Sequence, residues 1–239
     1  MTLHRDRRGD VALVTIDRPE RRNAVDHDTL VELASAIDDA VGDGARVIVL
    51  TGAGGHFCAG ADLTGLEDAG FATVLRGVLD RLTSVPIATI AAVDGAALGA
   101  GTQLASFCDL RVATERATFG IPAAKLGLMV DGATVARVVA LAGAGPAREM
   151  LLAASTIDGR RAFDLGMVQR IGDLEDALAW AAEIASLAPL TIAGHKLTLE
   201  RGGDDPAVAD AFTRAWTSAD VREGRAAFHE RRKAKFTGS

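Results

Sequence analysis

The sequence of 239 residues contains no tyrosine, and aromatic residues of all kinds amount to 4%. Alanine, valine and leucine must therefore fill the core. The only cysteines, Cys58 and Cys108, lack metal-ligand spacing, so we expect two free thiols rather than a disulfide framework or a zinc site. No apolar run approaches the roughly 20 residues of a membrane-spanning helix. Residues 1–10 are charged and contain no apolar segment typical of a secretory signal peptide, so we expect a cytoplasmic protein.

Positive charge is also scarce. The formal net charge of −6 at pH 7 argues against a broad basic surface for nucleic acid. Two basic clusters interrupt this acidity, one at Arg18, Arg21 and Arg22 and the other within residues 231–235. Each cluster can be an ordinary solvated surface or can contact a polyanionic ligand. The apolar share of 49% is typical of a globular protein with a substantial core.

Hydrophobic patterning predicts an α/β organisation in the first half of the chain. Continuous apolar runs predict buried strands at 11–16, 47–50, 87–93 and 110–113. Amphipathic spacing predicts three helices, one that begins after Asp26 or Asp28 as N-cap, one over 71–82 and one near 99–107. From Thr134 onward the pattern is almost wholly helical. Because no long polar linker intervenes, we expect one α/β core with a helical C-terminal extension.

Two runs of small residues follow predicted strands, AGA at 59–61 and LGAG at 98–101. Small side chains let a backbone approach a neighbour or a ligand closely. The second run opens a predicted helix, whose N-terminus carries a partial positive charge. The pattern is therefore typical either of tight strand–helix packing or of a site where backbone N–H groups bind an oxygen.

Five segments, in order and at matching spacing, resemble the crotonase (enoyl-CoA hydratase/isomerase) superfamily over about residues 8–236. They are residues 17–25 (DRPERRNAV), 56–62 (HFCAGAD), 92–101 (AVDGAALGAG), 108–113 (CDLRVA) and 223–233 (EGRAAFHERRK). The resemblance implies an α/β fold of the ClpP/crotonase-like class, a spiral of repeated ββα units followed by a helical C-terminal trimerisation region.

In the organisation that this resemblance implies, residues 1–190 form the spiral core and residues 191–239 form the helical region. The expected assembly is a homotrimer or a hexamer built as a dimer of trimers. An apolar face at 206–212, extended by Trp216, fits such an interface.

The resemblance also implies an acyl thioester of coenzyme A as ligand or substrate, with no separate cofactor. Ala61 and Ala100 occupy the positions whose N–H groups form the oxyanion hole, which stabilises negative charge on the thioester carbonyl. The further contacts that it implies with coenzyme A and the acyl group are at Arg22, Ala24, Ala59, Asp62 and Leu63 and at Leu128 and Met129. Near the nucleotide it implies Arg231 and Phe228 or Phe236, often from a neighbouring subunit.

The sequence departs from this family where hydratases carry two glutamates that position a water and move its proton. The first position holds Gln103 and the second holds Ala123. Neither side chain titrates, and general acid–base groups contribute about 10²–10⁴-fold each. We therefore expect negligible hydration activity.

Asp131 is the candidate that could still supply catalysis. It lies where some relatives, such as the 4-chlorobenzoyl-CoA dehalogenases, carry a working aspartate. In a pocket lined by Leu128, Met129 and Val130 its pKa would be raised, and it could serve as base or nucleophile. The alternative is an N-cap for the helix that begins near Thr134.

Three functions therefore stay open. The first is an acyl-CoA-binding protein without hydratase activity, resembling catalytically degenerate enoyl-CoA hydratase homologues of actinobacteria. The second is a different acyl-CoA enzyme that uses Asp131, and the third is a protein-interaction subunit that leaves the pocket unused. The sequence has no Ser–His–Asp arrangement, phosphate-binding P-loop, dinucleotide fingerprint or metal-ligand spacing of histidines, so neither a metal nor a nicotinamide cofactor is expected.

Overall fold

The strands form two sheets in the computed structural model, which describes residues 2–62, 64 and 70–239. The strands of that part of the chain are β1 (Leu3–Arg8), β2 (Val11–Ile16), β3 (Val47–Gly52), β4 (Ala88–Val93), β5 (Ala96–Leu98), β6 (Leu110–Ala113), β7 (Thr118–Gly120), β8 (Thr156–Asp158) and β9 (Arg170–Ile171).

Helices connect the strands and then take over the C-terminal part of the chain. The α-helices are α1 (His27–Gly42), α2 (Gly70–Ser84), α3 (Ala100–Phe107), α4 (Gly132–Ala142), α5 (Ala144–Leu152), α6 (Gly159–Asp164), α7 (Leu174–Ala185), α8 (Pro189–Arg201), α9 (Pro206–Thr217) and α10 (Ala219–Glu230). Short 3₁₀ turns lie at Pro19–Arg21 and Pro122–Leu126.

The larger sheet has the order β1-β2-β3-β4-β6-β9, and all neighbouring strands are parallel except β1 and β2. Parallel neighbours require crossovers, which α1 supplies between β2 and β3 and α2 supplies between β3 and β4. The smaller sheet has the order β5-β7-β8, with β5 parallel to β7 and β7 antiparallel to β8. The predicted α/β class is confirmed.

Both faces of the larger sheet are covered. Ile48 and Leu50 of β3 belong to the core shared with α1, α2 and α3, whereas Val47 and Val49 point to a second core shared with α7. Successive strand residues point to opposite faces, so burial on both sides demands an unbroken apolar run. This explains why the patterning predicted β2, β3, β4 and β6.

The strands that the patterning missed are β1 and the short strands β5, β7, β8 and β9. In β1 only Leu3 is buried, and the remaining residues of the strand are exposed at the sheet edge. Asp26, not Asp28, caps α1 by accepting a hydrogen bond from the Thr29 N–H. The division into residues 1–190 and 191–239 stays a prediction.

None of the described helices is by itself long and apolar enough to cross a membrane. Only α7 and α8 taken together reach the required length and composition, and they are bent by 109° at the break between them.

Candidate functional site

The two runs of small residues lie side by side. The Cys58 N–H donates to the Ala96 carbonyl at 2.8 Å, and the Leu98 N–H donates to the Cys58 carbonyl at 2.9 Å. A bridge between Cys58 and Ala97 continues this pairing. Gly99 adopts φ +53°, a left-handed conformation that favours glycine, and it turns the chain from β5 into α3.

Two backbone donors at this junction have no partner among the described residues. Ala100 is the first residue of α3, so its N–H has no acceptor within the helix. In the part of the chain that the structure describes, neither the Ala61 N–H nor the Ala100 N–H donates to a protein acceptor. The structure therefore brings together the two segments that carry the predicted oxyanion residues, beside the positive end of a helix.

The turn that contains Arg22 and Ala24 is hydrogen-bonded to the first of these segments. The Ala59 N–H donates to the Arg22 carbonyl at 3.0 Å, and the Val25 N–H donates to the Gly60 carbonyl at 2.9 Å. The predicted contact residues Arg22, Ala24, Ala59 and Asp62 thus lie on two segments that are hydrogen-bonded to each other. Leu63, the remaining residue of that prediction, lies outside the described residues.

Asp62 further links these two segments through Arg18. Its side chain is only 9% exposed and accepts hydrogen bonds from Arg18 Nη2 and the Thr64 N–H, both at 3.1 Å. The hydrogen bond from the Thr64 backbone lowers the pKa of Asp62, and the charges of Arg21 and Arg18 lower it further. Asp62 is therefore an ionised anchor for the turn. Arg18 also donates to the Ala24 carbonyl at 2.6 Å.

Sequence reasoning missed Asn23, which is fully buried in the same turn. It adopts φ +59°, which asparagine tolerates better than most residues. Its Nδ2 donates to the carbonyls of Ala53 and His56 at 2.8 and 2.6 Å. The available signal was an asparagine after a proline turn, which indicates local structure and not a ligand.

Gln103 and Ala123, at the positions where the resemblance implies the glutamates of a hydratase, lie at the same junction. Pairing of Leu98 with Gly120, and a hydrogen bond from the Gly99 N–H to the Gly120 carbonyl, place the 3₁₀ turn that contains Ala123 next to the start of α3. Ala123 is partly buried against the main core. Gln103, one turn along α3 from Ala100, is buried and within 3.0 Å of the Thr134 hydroxyl. Neither position supplies a titrating group.

A family model described as enoyl-CoA hydratase/isomerase matches residues 6–239. The chain belongs to the enoyl-CoA hydratase/isomerase family. It is 44% identical over 234 residues to "Probable enoyl-CoA hydratase echA6" of Mycobacterium tuberculosis, with 96% of each chain covered. It is 33% identical over 246 residues to the short-chain-enoyl-CoA hydratase of Clostridium acetobutylicum, covering 95% of this chain and 94% of that relative.

Solved structures of this family share the fold. An enoyl-CoA hydratase from Mycobacterium tuberculosis matches with a TM-score of 0.90 at 33% identity, covering 100% of this chain and 99% of that one. An enoyl-CoA hydratase/carnithine racemase from Magnetospirillum magneticum matches with a TM-score of 0.91 at 31% identity, covering 100% and 96%. The predicted crotonase-type fold is confirmed.

Asp131 differs from the raised-pKa carboxyl that the sequence suggested. It is the N-cap of α4, where Oδ1 accepts from the Thr134 N–H at 2.9 Å. Partial burial by itself would raise the pKa of Asp131, but hydrogen bonds from Thr134 and the charge of Arg76, 3.6 Å away, outweigh it and lower the pKa. The expectation of a raised pKa is therefore wrong, and the capping alternative is confirmed.

The expected apolar pocket around Asp131 is also absent from the described part of this chain. Met129 is 91% exposed and Leu128 is 46% exposed, so only Val130 packs against the core. The Asp131 side chain is itself 43% exposed. These residues lie in the segment between the 3₁₀ turn at Pro122–Leu126 and α4.

Arg231 and Phe236 lie at the C-terminal end of the chain. Arg231 is exposed and ends α10 with φ +53°. Phe236 is partly buried beside Gly224, and its carbonyl accepts a hydrogen bond from Arg46 at 2.6 Å. Their expected contact with a nucleotide involves a neighbouring subunit, so it stays a prediction.

Proposed function

We propose that this member of the enoyl-CoA hydratase/isomerase family binds acyl thioesters of coenzyme A, with the N–H groups of Ala61 and Ala100 donating to the thioester carbonyl. The observation that carries the proposal is the pair of N–H groups, at the junction of the two glycine-containing segments, that have no acceptor in the part of the chain that the structure describes. Backbone donors of this kind stabilise a carbonyl oxygen without titrating, and the N-terminus of α3 adds to the same field.

In this proposal the coenzyme A moiety follows the turn at Arg22 and Ala24 and the segment Ala59, Asp62 and Leu63. The order of these residues is supported by the hydrogen bonds that join the turn to residues 59–62. The side chains of Arg231 and Phe236 approach the nucleotide from a neighbouring subunit of a homotrimer or a dimer of trimers.

The proposal further assigns no hydratase activity to the protein. A hydratase must remove a proton from water and deliver one to the acyl group. Gln103 can orient a water but cannot accept its proton, and Ala123 can do neither. Ionised Asp131, capping α4, is not placed to replace them as a raised-pKa acid.

Binding is tested by calorimetry with an acyl-CoA and with the matching S-alkyl thioether, in which CH₂ replaces the carbonyl. Loss of two hydrogen bonds of about 1 kcal/mol each should weaken binding roughly 10- to 30-fold. Equal affinity for thioester and thioether would contradict the oxyanion contact. If neither ligand binds at tens of micromolar, the protein-interaction function would take its place.

Two substitutions at Ala100 supply matched variants. Ala100→Pro removes the N–H at the first position of a helix, where proline is accommodated, and Ala100→Gly keeps it. We expect the proline variant to bind the thioester on the order of 5- to 10-fold more weakly and the thioether unchanged. The glycine variant should bind both ligands as the natural protein does.

The proposed absence of hydratase activity is tested by a hydration assay with crotonyl-CoA and a long-chain enoyl-CoA. We expect no turnover above background for the natural protein and measurable turnover for the Gln103→Glu/Ala123→Glu double variant. Efficient hydration by the natural protein would contradict the assignment of these two positions.

A further inference from the structure

The Gln103 side chain reaches back towards the proposed thioester site. It lies three residues after Ala100 on α3, and helical side chains at this spacing share a face and lean towards the helix N-terminus. One terminal atom of its amide faces the Thr134 hydroxyl. The other has no protein partner in the described part of the chain, yet it is not among the buried unpartnered atoms there, so it borders open space.

The Thr134 hydroxyl lies between two acceptors. Its oxygen is 3.0 Å from Oδ2 of Asp131 and 3.0 Å from the Gln103 atom assigned as Oε1. A hydroxyl has one hydrogen and can donate it to only one of them. An amide oxygen and nitrogen have nearly the same shape, so their assignment follows from the hydrogen-bond network.

Asp131 decides which acceptor receives this hydrogen. Its carboxylate can only accept, and it already accepts from the Thr134 N–H while Arg76 Nη1 lies 3.6 Å from Oδ1. That Arg76 atom is buried and has no hydrogen-bond partner among the described residues, so Asp131 is its nearest counter-charge. The Thr134 hydrogen therefore points to Asp131, and the Thr134 oxygen must accept a hydrogen from Gln103.

We infer that Asp131 and Thr134 hold the Gln103 amide with Nε2 towards Thr134 and Oε1 towards the acyl group, so that the site prefers acyl thioesters that carry a hydroxyl near the carbonyl. The inference rests on the proposed acyl-CoA function. A hydroxyl donates to Oε1, whereas a saturated chain leaves Oε1 without a partner and a second carbonyl opposes it with like partial charge. Asp131 and Thr134 are positioning residues here.

The preference is measured by calorimetry on the natural protein with coenzyme A thioesters of one chain length: saturated, 2-hydroxy, 3-hydroxy (each enantiomer separately) and 3-oxo. We expect at least one hydroxyacyl thioester to bind about 3- to 10-fold more tightly than the saturated one, as one neutral hydrogen bond allows. The 3-oxo thioester should bind no better than the saturated one.

Substitution of Asp131 by asparagine should remove the discrimination against the 3-oxo thioester. The new Oδ1 keeps the cap, and the new Nδ2 donates to Thr134, whose hydrogen then turns to Gln103 Oε1. The Gln103 nitrogen would face the acyl group and donate to a 3-oxo oxygen, so the 3-oxo thioester should gain affinity relative to the saturated one, while a hydroxyl could still bind by accepting from this nitrogen. A purely structural role for Asp131 would change all affinities together and leave their ratios unaltered.

Thr134→Val should remove the discrimination between hydroxyacyl and 3-oxo thioesters, because the amide loses the group that orients it and can present either terminal atom, and Thr134→Ser should retain it. Equal binding of saturated and hydroxyacyl thioesters to the natural protein would overturn the inference, since a water would then serve Oε1 in every complex. Ratios unchanged in both Asp131→Asn and Thr134→Val would also overturn it. If no thioester binds, the proposed acyl-CoA function is overturned together with the inference. If thioesters bind without a preference, only the inference is overturned.

Discussion

At the scale of single residues, Gly101 is packed so closely that the site depends on its missing side chain. A Cβ atom on Gly101 would overlap the carbonyl oxygen of Cys58, which is held in place by the Leu98 N–H. Because Cys58 begins the segment that leads to Ala61, any displacement moves one proposed donor relative to the other. The absence of a side chain at Gly101 therefore maintains the spacing between the segment that carries Ala61 and the helix that begins at Ala100.

We predict that Gly101→Ala lowers the free energy of unfolding by about 1–3 kcal/mol through overpacking and weakens acyl-CoA binding. Denaturant unfolding and calorimetry measure the two effects. Gly132→Ala is the matched control, because a Cβ there meets open space at the start of α4 and should leave stability unchanged or raise it slightly. Equal stability of the two variants would contradict the packing argument.

At the scale of elements, the N-terminus of α1 is tied to the candidate site through one aspartate. Asp26 accepts from the Thr29 N–H at 2.9 Å and from the Thr29 hydroxyl at 2.7 Å. Its other carboxylate oxygen lies 2.9 Å from Arg18 Nη2, the same atom that binds Asp62. Arg18 thus pairs with the N-cap residue of α1 and also holds Asp62 and the turn that contains Ala24.

This arrangement predicts a pH dependence of stability. Partial burial would raise the pKa of Asp26, but hydrogen bonds from Thr29 and the charge of Arg18 outweigh it and lower the pKa. A pKa lower in the folded than in the unfolded protein means stability that is present above about pH 4, the unfolded value, and is lost as the pH falls further.

We predict that Asp26→Ala lowers the free energy of unfolding at pH 7 by about 1 kcal/mol, because it removes the cap. Asp26→Asn keeps an accepting oxygen and should lose less at pH 7. It should also show a shallower decline than the natural protein between pH 5 and pH 3 in urea unfolding. Parallel declines in the natural protein and the asparagine variant would exclude Asp26 as a contributor.

At the scale of the whole molecule, α8, α9 and α10 present an apolar groove with exposed aromatic rings. Phe212, Trp216 and Phe228 are 63%, 59% and 82% exposed and line this groove together with the partly buried Phe236. Large exposed aromatic side chains gathered on one surface are typical of an interface. This surface includes the apolar face at 206–212 that the sequence indicated.

Sedimentation equilibrium should accordingly give the mass of a trimer or of a dimer of trimers. The Trp216→Arg/Phe228→Asp variant should sediment as smaller species, because it places charges in the groove. Leu152→Asp, on an exposed leucine at the end of α5, removes comparable apolar surface elsewhere and should keep the natural mass. A monomeric natural protein would contradict the proposed assembly.

The sequence alone determined the elements whose burial is strongest. Strands β2, β3, β4 and β6 lie between two helical layers, so they need unbroken apolar runs that a single sequence displays. The runs of small residues at 59–61 and 98–101 were recognisable for a similar reason, since close backbone approach restricts the residue types. The assignment of Ala61 and Ala100 to an oxyanion hole came from the family resemblance and stays a prediction. The apolar runs therefore predict the α/β class, and the resemblance of the motifs predicts the family.

Only the tertiary structure decided what depends on residues distant in sequence. Strand β1 is mostly charged and forms because β2 pairs with it, and the pKa of Asp131 is lowered partly by Arg76, which comes from α2. The bonds of Asp62 to Arg18 and of Thr134 to Gln103 likewise join separate elements. Charge and hydrogen-bond partners depend on distances in space, which residue spacing along one chain does not encode.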